Sequence, residues 1–208
     1  MSTNTTEIVF ILDRSGSMDS IAESAIKGFN DLLERQKREH DETPVRMSLV
    51  LFNTEYEVPF LSISAPELEP LNMETYSPDG GTALLDAIGR TIDETGVRLA
   101  GMPESDRPGK VIIAILTDGE ENSSRHYNWL QISDMIKHQR NVYQWDFLFL
   151  GANQDAIATA SSIGIDVLSA TCFEASAGGI TQAMKVTEQN FFERKVRVYP
   201  NSDSELEW

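Results

Sequence analysis

Two apolar runs in this chain end on an aspartate followed at once by small or turn-forming residues. The first, IVFILD, delivers Asp13 and leads into Ser15 and Ser17; the second, VIIAILTD, delivers Asp118. Between them, SPDGGTALLDAI sets Gly80 and Gly81, which permit unusual backbone angles, directly before Thr82. If these three stretches converge, Asp13, Ser15, Ser17, Thr82 and Asp118 form a set of hard oxygen donors without nitrogen or sulfur. Such a set favours Mg²⁺ or Mn²⁺, with Ca²⁺ third because it usually takes more carboxylate and carbonyl oxygens. Taken singly, each stretch also reads as an ordinary turn or helix cap. The conjunction of all three carries the metal reading.

The elements that must position these residues alternate along the chain. Ile8–Leu12 reads as a buried strand, and Ser20 to about Glu39 as an amphipathic helix that Asp19 and Ser20 start. Val45–Phe52 and Tyr56–Leu61 flank Asn53-Thr54-Glu55 as a hairpin, and Pro59 marks its second strand as an edge. After a loop over 62–81, a helix opens at Thr82 and stops at Gly101-Met102-Pro103. Val111–Leu116 and Phe147–Leu150 are further buried strands, with a helix at Trp129–Arg140 between them. Asn153 caps a helix that Gly164 ends, a weaker strand follows at Ile165–Leu168, and a last helix runs from Ala177 to Phe192. Strands alternating with helices predict a doubly wound, Rossmann-like α/β sheet, mostly parallel with one antiparallel edge strand and helices on both faces. In such sheets ligands bind at the carboxyl ends of the strands near a topological switch point, where Asp13 and Asp118 both fall.

The residues also resemble a known family. DRSGS at 13–17 matches the DxSxS motif of von Willebrand factor A-type (VWA) domains, GGTAL supplies that family's separate threonine at Thr82, and LTDGEEN its aspartate at Asp118. The resemblance runs from about Glu7 to Phe192 and implies a complete metal-ion-dependent adhesion site (MIDAS), most similar to bacterial and phage single-domain members. It implies that the hydroxyls of Ser15, Ser17 and Thr82 touch the ion while Asp13 and Asp118 act largely through bound water. Uncharged ligands leave a divalent ion most of its charge, so it stays open to one more oxygen. The implied function is a protein-binding module, not an enzyme, in which a partner's Glu or Asp carboxylate takes that place. A flexible Gly16 would let both serines face inward.

Composition narrows the partners. Seventeen Lys and Arg against thirty-three Asp and Glu give a net charge of −16, which repels nucleic acid and anionic membranes. The same charge works against an acidic partner, so long-range steering and docking must be separate. With 208 residues, 40% of them hydrophobic, the chain suits one domain over 1–198 with a polar tail at 199–208. Cys172 is the only cysteine and reads as a small core residue; with neither a signal-like segment nor a spanning stretch, a cytoplasmic setting is expected.

Two other functions compete. A Mg²⁺-dependent phosphatase-like hydrolase needs a second acid two positions after its nucleophile, where Ser15 stands, and no activated Ser or Cys or phosphate loop replaces it. A scaffold with a purely structural site is the other. Asp19, Asp79, Glu120 and Glu121 could rim the ion, although solvated carboxylates are the plainer reading. His40, His126 and His138 share no metal-ligand spacing. Trp129 and Trp145 read as packing residues, and Tyr127 and Trp129 lie near enough to Asp118 in sequence to reach the site.

Overall fold

The computed structural model describes residues 3–39, 44–152 and 156–196. Asn153, His40 and the 199–208 tail lie outside the described residues. In chain order the elements are β1 (Thr3–Asp13), α1 (Ala22–Glu39), β2 (Val45–Phe52), β3 (Tyr56–Ser64), α2 (Leu84–Ala100), β4 (Pro108–Thr117), α3 (Trp129–Tyr143), β5 (Asp146–Ala152), α4 (Ala156–Ser162), β6 (Ala170–Phe173) and α5 (Ala177–Val196).

The unbroken apolar run in β1 reflects burial on two faces, since successive side chains of a strand point opposite ways. Ile8, Phe10 and Leu12 join a core built with α1 and α5, where the Phe10 and Phe29 rings meet edge to face at 5.6 Å. Val9 and Ile11 join a second core built with α2, α3 and α4. The six strands order as β3-β2-β1-β4-β5-β6, and every neighbouring pair is parallel except β2 and β3. β3 is the antiparallel edge, in keeping with Pro59. Among the described residues no helix is long and apolar enough to cross a membrane.

Several boundaries differ from the sequence reading. The chain after Asp13 first makes a 3₁₀ stretch, Gly16–Ile21, that buries Met18 and Ile21, so α1 starts at Ala22 rather than Ser20. No strand forms at Ile165–Leu168: Gly164, at φ +81, ends α4, Ile165 plugs the second core, and Val167–Ser169 is one 3₁₀ turn. The strand comes later, at Ala170–Phe173, because pairing with β5 rather than local apolar character defines it. Cys172 is exposed on that edge strand and is not a core residue. Trp145 is buried as expected, while Trp129 is 39% exposed.

At the amino end of the sheet, Glu7 on β1 is 1% exposed. It accepts hydrogen bonds from Ser48 Oγ (3.2 Å), Ser62 Oγ (2.8 Å) and an Arg98 guanidinium nitrogen (2.9 Å), which ties α2 to the middle of the sheet. Burial raises its carboxyl pKa despite those partners. Glu7→Ala strands the Arg98 guanidinium, itself partly exposed, and should destabilise the domain by about 2–4 kcal/mol. Urea unfolding checks this, with Glu7→Gln, which keeps an acceptor, expected to cost less.

Candidate metal centre

The strand order places the topological switch between β1 and β4, where the connections leave in opposite directions and a crevice opens at the carboxyl ends. Asp13 ends β1 and Thr117 ends β4. Thr117 Oγ1 donates to Asp13 Oδ2 at 2.5 Å across the gap, and the Ser15 N–H donates to Asp13 Oδ1 at 2.6 Å. Tyr76, fully buried, donates its hydroxyl to the Asp13 carbonyl at 2.5 Å from the loop after β3.

Above this base the three loops are stitched into a ring. Gly16 N–H donates to Gly80 O (3.0 Å) and Asp79 N–H to Arg14 O (2.9 Å), joining the first loop to the second. Thr82 N–H donates to Asn122 Oδ1 (2.9 Å), and the N–H groups of Asn122 and Ser123 reach back to Thr82 O, joining the second to the third. Ser17 Oγ donates to Asp118 Oδ1 at 2.6 Å and closes the ring. Gly80 sits at φ +74, where a side chain would be strained, whereas Gly16 does not use the left-handed region and a Cβ there would make ordinary contact with Gly80 O at 3.5 Å. The glycine the turn depends on is therefore Gly80.

The ring brings all five expected residues together. Ser15 Oγ lies 3.1 Å from Ser17 Oγ. A methyl group built on Gly119 would lie 2.6 Å from Thr82 Oγ1, 3.3 Å from Ser17 Oγ and 3.5 Å from Ser15 Oγ, so the three hydroxyls face one point beside the Asp118 loop. Thr82 is free to point there because it does not cap the helix it precedes: the cap position of α2 is Ala83, without a side-chain cap bond. Asp13, Ser15 and Thr82 are buried, and Ser17 is exposed, so the cradle opens to solvent on one side. Among the described residues no group of three or more His, Cys, Asp or Glu side chains is placed to hold a metal ion. Three hydroxyls near one point, with the Asp118 carboxylate bonded to one of them and Asp13 bonded to the Ser15 N–H, fit a small oxygen-seeking ion.

Burial raises the Asp13 carboxyl to about 6, against the pull of its bonds from Thr117 and Ser15, with the Asp118 charge adding to the rise. Burial also raises Asp118, with the Ser17 bond opposing. Both shifts mark negative charge held where water solvates it poorly.

Of the four acids considered for a rim, Asp19, Asp79 and Glu120 are exposed. Glu121 is instead a clamp: its carboxylate accepts from the N–H groups of Leu85, Ser123 and Ser124. Asp86, which sequence reasoning passed over, does the same for the N–H groups of Arg125, His126 and Tyr127. Burial alone would raise the Asp86 carboxyl, yet these three donors hold it below the usual range. Thr117 and Tyr76 were also missed; the threonine before Asp118 was the one signal available. Tyr127 reaches Asp93 on α2 through its hydroxyl (2.7 Å), and Trp129 lines a crevice of about 300 Å³ with Asp118 and Phe149. Among the described residues neither His126 nor His138 belongs to a group of three or more His, Cys, Asp or Glu placed to hold a metal ion.

Because the folded protein binds the Asp13 proton more tightly than the unfolded chain does, this group's contribution to stability is complete below about pH 4 and is lost as pH rises through about 6. In EDTA, Asp13→Asn keeps an acceptor for Ser15 without the charge and should gain stability on the parent across that window. Urea unfolding at a series of pH values checks it; a difference independent of pH would overturn it.

The fold recurs in solved structures of low sequence identity. The proximal thread matrix protein 1 of the mussel byssus, solved with a zinc-occupied MIDAS motif, is 14% identical with a TM-score of 0.61 over 89% of this chain and 45% of its own. The pilus adhesin SpaC of Lactobacillus rhamnosus GG, in its open conformation, is 12% identical with a TM-score of 0.64 over 92% of this chain and 30% of its own. The vWF domain of the type V pili tip protein Mfa5 of Porphyromonas gingivalis is 11% identical, with a TM-score of 0.61 over 94% of this chain and 97% of its own. This chain thus spans less than half of the mussel protein and under a third of SpaC. No curated protein matches the sequence. Residues 7–174 match the family model for the von Willebrand factor type A domain, and with the sheet order and loop ring described above, the chain belongs to that family.

Proposed function

We propose that this domain is a protein-binding module that captures a Glu or Asp side chain of its partner through a divalent cation, Mg²⁺ or Mn²⁺ in preference to Ca²⁺. The observation that carries the reading is the convergence of Ser15, Ser17 and Thr82 hydroxyls on one point next to Asp118, at the open side of the crevice. The ion supplies positive charge and an electrophilic position for one further oxygen. The chain supplies everything that aims it. Ser15, Ser17 and Thr82 hold the ion as uncharged ligands. Both Asp13 oxygens already accept protein hydrogen bonds, so Asp13 orients the Ser15 turn and balances charge from beneath. Asp118 orients Ser17.

A metal-dependent hydrolase fits less well. Ser15, where such an enzyme needs its acid, is a neutral hydroxyl at 2% exposure. The zinc-occupied MIDAS motif of the mussel protein supports a divalent occupant. An intracellular setting completes the proposal.

Calorimetric titration with Mg²⁺, Mn²⁺ and Zn²⁺ tests it. Ser15→Ala, Thr82→Ala and Asp118→Ala should each weaken binding by about 10–100-fold, and metal at a concentration that saturates the parent should raise the Tm of the parent more than that of these variants. Isotherms unchanged by Asp118→Ala would overturn the metal site. Partner capture that survives both EDTA and Asp118→Ala would leave a scaffold with a structural site.

A further inference from the structure

A second feature opens beside the cradle. A groove of about 1100 Å³ runs from Ala83, next to Thr82, between the β2–β3 turn and residues 122–127. It borders the candidate metal centre: Ala83 on its wall follows Thr82, and Asn122 on its wall accepts the Thr82 N–H. Its floor holds Tyr56, with the Arg90 guanidinium stacked 4.2 Å from the ring centroid, and the Tyr127 ring packs against Gly89 of α2.

The charges in this groove are unevenly committed. Asp86 carries a full negative charge, yet its two oxygens are taken by three backbone N–H groups. Glu55 at the entrance lies 3.8 Å from the Arg14 guanidinium, and Glu94 is engaged by Arg90 at 2.7 Å. Arg125 is different. It is exposed, and its guanidinium makes no ion pair or hydrogen bond among the described residues. On a chain of net charge −16, an uncommitted arginine in a groove beside the candidate metal centre is a local attraction against a repulsive field. It meets the difficulty that the acidic surface poses for an acidic partner.

We propose that this groove seats an acidic segment of the protein partner: one carboxylate meets the metal at Thr82, and a second, further along the segment, pairs with Arg125. The inference rests on the metal-dependent reading above and adds to it the class of partner, an extended stretch with several acidic residues rather than a lone Glu or Asp on a folded surface. Tyr56 and Tyr127 provide apolar surface for the intervening residues. Specificity then arises from charge placed beside the ion.

Labelled synthetic peptides serve as the probe: one with a single glutamate in a Gly-Ser frame, and one with several glutamates spread along the same frame. Fluorescence anisotropy at saturating Mn²⁺ should show the multi-glutamate peptide binding about fivefold more tightly, the scale of one exposed ion pair. Arg125→Ala should abolish that advantage and Arg125→Glu should reverse it; the Arg125 N–H bond to Asp86 is kept in both. An advantage equal in the parent and both variants overturns the groove while leaving metal-dependent capture intact. Absence of Mn²⁺ binding in calorimetry overturns the metal reading itself, and the groove with it. Amide shifts that follow the peptide into the Trp129 crevice instead of residues 122–127 also overturn the groove.

Discussion

The binding edge of this domain depends on a carboxylate placed where a carboxylate is costly. A sheet whose order reverses between β1 and β4 must leave a gap at the carboxyl ends of those strands, and Asp13 fills it at 0% exposure. Burying that charge is unfavourable unless donors surround it. Thr117 and the Ser15 N–H are those donors, one from each side of the gap. The same two bonds set the direction of the chain after β1 and lock the end of β4 beside it. The turn that presents Ser15 and Ser17 and the strand that delivers Asp118 are therefore aligned by the solution to one solvation problem. The same problem bears on the proposed function: a divalent ion above the ring would supply the positive charge that the buried Asp13 lacks.

A second regularity concerns how the acidic residues are used. Glu121 and Asp86 are not spread over the surface to keep the chain soluble; each gathers backbone N–H groups from loops with no regular partners. Buried or half-buried loop amides must find acceptors, and a carboxylate can satisfy several at once. The loop from Gly119 to Asn128 is thereby held to the first turns of α2, next to Thr82. Rigid loops on a packed α/β scaffold keep donor oxygens in register without regular secondary structure at the site itself.

Much of this was legible in the residues. The apolar runs before Asp13 and Asp118 are long enough and branched enough to be buried strands, and their hydroxyl-rich exits lie at the same edge of any doubly wound sheet. Pro59 marked the antiparallel edge, and Gly164 ended its helix. What could not be read were features set by partners distant in sequence. β6 forms where β5 offers a free edge, not where apolar residues cluster, so the strand assigned to Ile165–Leu168 belongs at Ala170–Phe173 and Cys172 lies outside the core. Gly16 looked like the tight turn and has no positive φ; of the two glycines read as permitting unusual backbone angles, Gly80 takes one, where the second loop curls back to accept the Gly16 N–H.

The sequence by itself determined the residues of the proposed donor set, Asp13, Ser15, Ser17, Thr82 and Asp118, and the strand ends at which its two aspartates sit, because residue type and local periodicity suffice for both. Only the tertiary structure decided that the three hydroxyls lie near one point, that Thr117 and Tyr76 hold Asp13 from below, and that Arg125, uncommitted among the described residues, lines a groove beside Thr82. These are distances between residues tens of positions apart, and they exist only once packing has closed the loops between them.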